Sequence, residues 1–233
     1  MRLVTSSFVN EYLEQDNTKR WLDQYSDSGQ EALICQQWLR SSAAKRCIYE
    51  SLYGVLFENP KKIRILDVGG GLTALTPILA AKHDYRLVDL LAHDSLNHAN
   101  QMMDAVKRDF VSVEDWATLK KSRYDLIVAN DIFPNVDQRL QGFLETYLPQ
   151  ATEIKILLTW YETPRHYSVK RTDGEELMCM LAWNGKQLQG VLEEFASSIN
   201  CPDLSILKGA TESVFPNGRH TCIVEFNGKL NSN

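Results

Sequence analysis

Three adjacent glycines, Gly69, Gly70 and Gly71, separate an apolar run from a helical one in ILDVGGGLTALTP, Ile65 to Pro77. Glycines in a row cost backbone entropy on folding, so their placement calls for a reason. Two reasons fit: they permit a tight strand-to-helix turn, or they let a ligand lie against bare backbone. In the second case a helix N-terminus offers free N–H groups and a positive dipole end to an anionic group. Pro77 suits such a helix start, where its missing N–H and fixed φ cost little. The spacing is G-x-G, with Ala74 where a dinucleotide fingerprint places its last glycine. A nicotinamide or flavin site therefore stays open.

The elements that must position this turn are legible as periodicity. Up to about Asn59 the chain is helical in pattern: Thr18–Tyr25 and Gln30–Phe57 carry Ile34, Trp38, Leu39, Ile48, Leu52 and Leu56 at three- and four-residue spacings. Tyr25 to Gly29 reads as a loop between them, and no strand is expected before Asn59-Pro60. The pattern then alternates. Strands are expected at 63–68, 85–90, 110–113, 124–129 and 154–159, with helices to about Lys82, at 96–108 and at 136–148. Short apolar strands separated by helices mark a parallel sheet covered on both faces, with ligands at the strand C-termini. After the fifth strand, Tyr167–Thr172, the Asp173-Gly174 turn and Glu175–Trp183 read as a hairpin. Asn184 is placed to cap a helix to about Ser197, and 204–207 and 220–226 read as the last strands. The expected fold is α/β: a Rossmann-like doubly wound, mostly parallel sheet. It carries an N-terminal helical cap (1–59), an α/β domain (60–233) and an insertion at about 163–184.

With the elements in place, four landmarks resemble the class I S-adenosylmethionine-dependent methyltransferases. Asp67-Val68-Gly69-Gly70-Gly71 is similar to that family's first motif, with Thr73 where the family most often has its third glycine. Asp89, with Leu90 after it, ends the second strand, where the family places an acid on the ribose hydroxyls. A carboxylate suits a diol because it accepts two charge-assisted hydrogen bonds. Asp115-Trp116 matches the acidic-plus-bulky adenine motif. YDLIVANDIFPN matches the fourth strand and its following loop, which brings Asn130 and Asp131 towards the methyl group. The resemblance covers about Ile63 to Thr159. It implies S-adenosyl-L-methionine as cofactor, held by Asp67, Gly69, Gly70, Gly71, Asp89, Leu90, Asp115, Trp116 and Asn130. An NAD(P)-dependent oxidoreductase and a non-catalytic cofactor-binding or scaffold protein are the alternatives, since the same ribose acid serves either cofactor.

Methyl transfer from a sulfonium is an in-line displacement in which alignment and water exclusion dominate. A base is needed only for an acceptor protonated at the moment of attack. His166 and Asp131 are the candidates, with His166 matched in pKa to neutral chemistry. Tyr25, Tyr161 and Arg165 are the candidate substrate-binding residues. Arg165, His166, Lys170 and Arg171 make the segment after the fifth strand locally basic, so a small, anionic or sugar-like acceptor methylated on O or N is expected. The 233 residues carry a net charge of -5, against a whole-surface nucleic-acid footprint. The five cysteines form no C-x-x-C pair and read as reduced thiols. No metal-ligand spacing and no membrane-length apolar run is present in the sequence. A cytoplasmic protein acting on a small molecule is expected, with homodimer formation left open.

Overall fold

In the computed structural model, residues 1–26, 33–91, 93–170, 177–209 and 212–230 are described. The chain begins with a two-residue strand, β1 (Arg2–Leu3), and four helices: α1 (Ser6–Leu13), α2 (Asn17–Tyr25), α3 (Ile34–Ser41) and α4 (Ala43–Glu58). The helical pattern from Gln30 to Phe57 is thus divided, among the described residues, between two helices. Its break is Ser42, an extended residue whose side chain accepts from the Lys45 N–H and so starts α4 as its N-cap.

The alternating part follows as β2 (Arg64–Val68), α5 (Thr76–Lys82), β3 (Asp84–Val88), α6 (Leu96–Val106), β4 (Val111–Ser112), β5 (Tyr124–Phe133), α7 (Leu140–Tyr147) and β6 (Ala151–Trp160). The hairpin β7 (Arg165–Lys170) and β8 (Leu177–Ala182) comes next, then α8 (Gly185–Glu194) and β9 (His220–Asn227). The Asp173-Gly174 turn and Arg171 lie outside the described residues. Asn184 caps α8 as expected, within a capping box completed by Gln187.

The main sheet has the order β1-β9-β6-β5-β2-β3-β4. Strands β2 to β6 are parallel, β9 runs antiparallel to β6, and β1 antiparallel to β9. Two expectations fail at the far edge. Residues Leu204–Leu207 form a 3-10 turn capped by Asp203 instead of a strand. The edge beside β9 is filled by the N-terminus, whose two-residue strand is too short to leave a periodic signal.

Neighbouring residues on each parallel strand enter opposite cores, which is why the strands read as unbroken apolar runs. Ile65, Leu126, Val128 and Leu157 join Leu52, Leu56, Leu79 and Ala99 on one face. Leu66, Ile127, Ile154 and Ile156 join Leu140, Phe143, Leu188 and Leu192 on the other. The sheet is doubly wound, and the N-terminal helices share the first of these cores with it.

Candidate active site

Between β2 and β5 the winding reverses direction, so the C-terminal ends of these strands part and leave a crevice. A cavity of about 670 Å³ opens there. One half of its wall comes from the turns after β2 and β3 and the segment after β4: Gly69 to Gly71, Asp89 to Leu91, Asp115 and Trp116. The other half is formed by Asn130 to Ile132 in the irregular last part of β5, by Arg219 before β9, and by Trp38 and Lys45 from α3 and α4.

The glycine turn shows why these positions lack side chains. Gly69 and Gly71 have φ of +67° and +71°, the left-handed region that costs other residues strain. A Cβ on Gly69 would overlap Ile132, one on Gly71 the Cys35 thiol, and one on Gly70 the carboxylate of Asp67. The loop is therefore packed between the sheet and the N-terminal helices. Its amides are also largely engaged by the protein. The Gly71 N–H donates to Asp89 Oδ2 at 3.1 Å, the Ala74 N–H to Gln36 Oε1 at 2.8 Å, and the Thr73 N–H to Thr76 Oγ1 at 3.0 Å. Helix α5 begins only at Thr76, so the expected helix-dipole cradle directly after the glycines does not form.

Asp67 sits beneath this turn, outside the cavity wall. It is buried, and its two oxygens accept from Tyr53 Oη at 3.0 Å and Tyr85 Oη at 2.6 Å. Burial pushes its pKa up to about 7, against the pull of both hydroxyls. Asp67 thus supports Gly70 from below.

Asp89 does face the cavity. Its Oδ1 accepts from the Leu91 N–H at 2.7 Å and its Oδ2 from the Gly71 N–H, which hold the carboxylate in one orientation. Burial raises its pKa above the ordinary carboxylate value. Beside it Leu90 and Val136 remain 67% and 55% exposed, an apolar lip around the crevice.

Asp115 and Trp116 line the same half but are already engaged. Asp115 caps a 3-10 turn and pairs with Arg139, at 2.9 Å to Nη1 and 3.2 Å to Nη2. Trp116 is buried against Phe133, Phe143 and Tyr147, and its Nε1–H donates to Asp137 Oδ2 at 2.7 Å. Its ring is a wall of the core whose edge reaches the cavity.

Across the crevice Asp131, at φ +60°, is gripped by Arg219. Nη1 lies 2.9 and 2.8 Å from its two oxygens, with Thr159 Oγ1 and Asn135 Nδ2 at 3.2 and 3.3 Å. Lys45 Nζ is 4.0 Å from the same carboxylate and 4.3 Å from the centroid of Trp38. Three hydrogen-bond donors and a more distant ammonium around one carboxylate make Asp131 an anchor for its neighbours.

The remaining sequence candidates are not brought to the cavity. His166 is exposed on β7. Its neighbour Tyr167 reaches inward, donating from Oη to Asn135 Oδ1 at 3.1 Å, and side chains alternate along a strand, so His166 faces the other way. Arg165 lies over the rings of Tyr161 and Tyr167 at 4.3 and 5.7 Å and donates to the Asn217 carbonyl, outside the cavity wall. Tyr161 is buried there. Tyr25 ends α2 away from the crevice, and Trp21 stacks on Phe57 at 4.2 Å. The N-terminal helices do cover the cavity, but through α3 and α4. Sequence reasoning missed Trp38, Lys45, Tyr49 and Arg219. The only local signal was the helical spacing that places Trp38 on an apolar face; nothing nearby in sequence announces Arg219. Among the described residues no cluster of histidine, cysteine or acidic side chains could hold a metal, and no helix is long and apolar enough to cross a membrane.

Strand order, switch-point crevice and cap define a Rossmann-like α/β fold. No protein-family model matches the chain, and no curated protein sequence matches it significantly. Solved structures do match it. The N-terminal domain of EvdMO1 with SAH bound is 14% identical, over 93% of this chain and 96% of that chain, at a TM-score of 0.51. The same domain in the presence of SAH and D-fucose is 13% identical, over 92% and 96%, at 0.50. A magnesium protoporphyrin IX methyltransferase from Synechocystis PCC 6803 with bound SAM is 16% identical, over 95% and 96%, at 0.48.

Proposed function

We propose that the protein transfers a methyl group from S-adenosyl-L-methionine to an oxygen or nitrogen of a small acceptor, anionic or sugar-like in character. One observation carries the reading: a crevice at the switch point gathers the glycine turn, the Asp89 carboxylate and the irregular end of β5. The residues present fit the cofactor. Asp89 is an acceptor-only group aimed into the cavity and desolvated, so two hydroxyl donors from a ribose would relieve its burial. Leu90 and Val136 offer apolar surface to a flat base. The glycine turn brings backbone close to the ligand, with Asp67 beneath it as a positioning residue. When bound, the cofactor supplies an electrophilic methyl on a sulfonium.

The chain's own part is alignment. Asn130 lies in the irregular last part of β5 and lines the cavity. Helices α3 and α4 act as the cap, excluding water from the crevice through Trp38, Leu39, Ile48 and Tyr49. Asp131 is occupied by Arg219 and His166 faces away, so neither supports a reading as the proton acceptor. Incubating the protein with methyl-labelled S-adenosylmethionine and fractionated metabolites tests the proposal. Label should move into a low-molecular-weight fraction. No transfer to any fraction, with NAD-linked absorbance changes instead, would favour the oxidoreductase.

A further inference from the structure

Two cations stand on the acceptor side of the crevice, and only one of them is well paired. Arg219 precedes β9, two strands beyond β5 and on the opposite side of the switch point from Asp89. Its Nη1 takes the Asp131 carboxylate at 2.8 Å. Lys45 enters from α4 and lies 4.0 Å from that carboxylate, at the outer limit of an ion pair. Its ammonium rests against the Trp38 ring, and Leu39, Ile48, Ile132 and Leu157 line the same region of the cavity. One carboxylate thus faces two positive groups in a largely apolar pocket.

We propose that Lys45, with Arg219, is the acceptor-recognition group of this site, and that the acceptor is an apolar or aromatic body carrying one carboxylate. This deepens the methyltransferase reading and rests on it. Among Lys45, Arg219 and Asp131 one positive charge is left over, which an incoming anion at this corner neutralises, whereas the acids Asp89, Asp94, Glu114, Asp115 and Asp137 also line the cavity. Burial lowers the Lys45 pKa while Asp131 opposes that fall. The Trp38 ring, already contacted by the Lys45 ammonium at 4.3 Å and by His93 edge-on at 4.7 Å, adds apolar surface at the same place. The local basicity of Arg165 and His166 is spent elsewhere, on Tyr161, Tyr167 and an outward face.

Since S-adenosylmethionine carries a carboxylate of its own, the test must separate two sources of the same chemistry. Calorimetry with benzoate and its neutral isostere benzamide, with and without saturating S-adenosylhomocysteine, reads the acceptor side. Titration of S-adenosylhomocysteine against 5′-methylthioadenosine, which lacks the carboxylate, reads the cofactor side. The wild-type protein should prefer benzoate to benzamide under both conditions. Lys45→Met should weaken benzoate by about tenfold or more, the size of a lost charge-assisted contact, while Lys45→Arg restores most of it. Both variants should bind S-adenosylhomocysteine as the wild type does. Equal binding of benzoate and benzamide, or no binding of either, overturns the proposal. So does a Lys45→Met loss confined to S-adenosylhomocysteine with 5′-methylthioadenosine unchanged, which would assign the lysine to the cofactor. Failure of the wild type to bind S-adenosylhomocysteine at all would instead count against the methyltransferase reading, and the cofactor-free benzoate arm would still decide the pocket's charge preference.

Discussion

The two halves of the crevice are built by different means. On the β2–β3 side each functional position is local: a glycine turn, then a carboxylate one strand later, tied together by the 3.1 Å bond from the Gly71 N–H to Asp89. On the β5–β9 side the groups come from distant parts of the chain, with Lys45, Asp131 and Arg219 converging from α4, β5 and the approach to β9. The first half is suited to a constant ligand. The second is assembled by tertiary contacts from three separate elements.

Four substitutions would break or sharpen that contrast. The largest effect is expected at Asp131. Asp131→Ala leaves Arg219 buried without its counter-ion, and breaking such a pair costs about 3 kcal/mol. Chemical denaturation should show the loss, and an unchanged midpoint would mean that the acceptor half is not held together by this pair. Next comes Asp89→Ala. It should weaken S-adenosylhomocysteine by about tenfold or more, since hydrogen bonds to a charged group contribute roughly 1.5–3 kcal/mol. Equal affinity in calorimetry would return Asp89 to a role in the turn alone.

Asp67 gives a pH signature. Its folded pKa of about 7 lies above the unfolded carboxylate value, so the folded state holds a proton that the unfolded chain has released. The group's contribution therefore declines as pH rises from about 4 to about 7 and stays low above that. Asp67→Asn cannot ionise, so its melting temperature should gain on the wild type across that window. Parallel profiles would show that the carboxylate is not desolvated. The smallest effect is expected at His166. His166→Ala should leave cofactor affinity, turnover and the pH–rate profile unchanged, because the ring faces away from Asn135. A drop in turnover of a hundredfold, the scale of a positioned base, would put the hairpin in the reaction.

Legibility in the sequence followed the same division. The five parallel strands, the glycine turn and Asp89 were readable because each depends on a few adjacent residues: an apolar run, a positive φ, a strand-end acid. Trp116 was recognisable as a landmark, but its burial among Phe133, Phe143 and Tyr147 depends on α7 and could not be read from its neighbours. Arg165 and His166 misled because local basicity does not reveal which way a strand faces. Lys45 was silent for the opposite reason. A lysine on a long helix is ordinary until the fold lays that helix across the crevice. The β1 edge strand escaped notice because two residues cannot show a period.

The central claim is that this crevice takes S-adenosylmethionine, with Asp89 as its ribose acid. Isothermal titration of the wild-type protein and Asp89→Ala with S-adenosylhomocysteine and with NAD tests it most directly. The account predicts saturable binding of S-adenosylhomocysteine, no heat from NAD, and about tenfold or greater weakening in the variant. Tight binding of NAD with none of S-adenosylhomocysteine would contradict it.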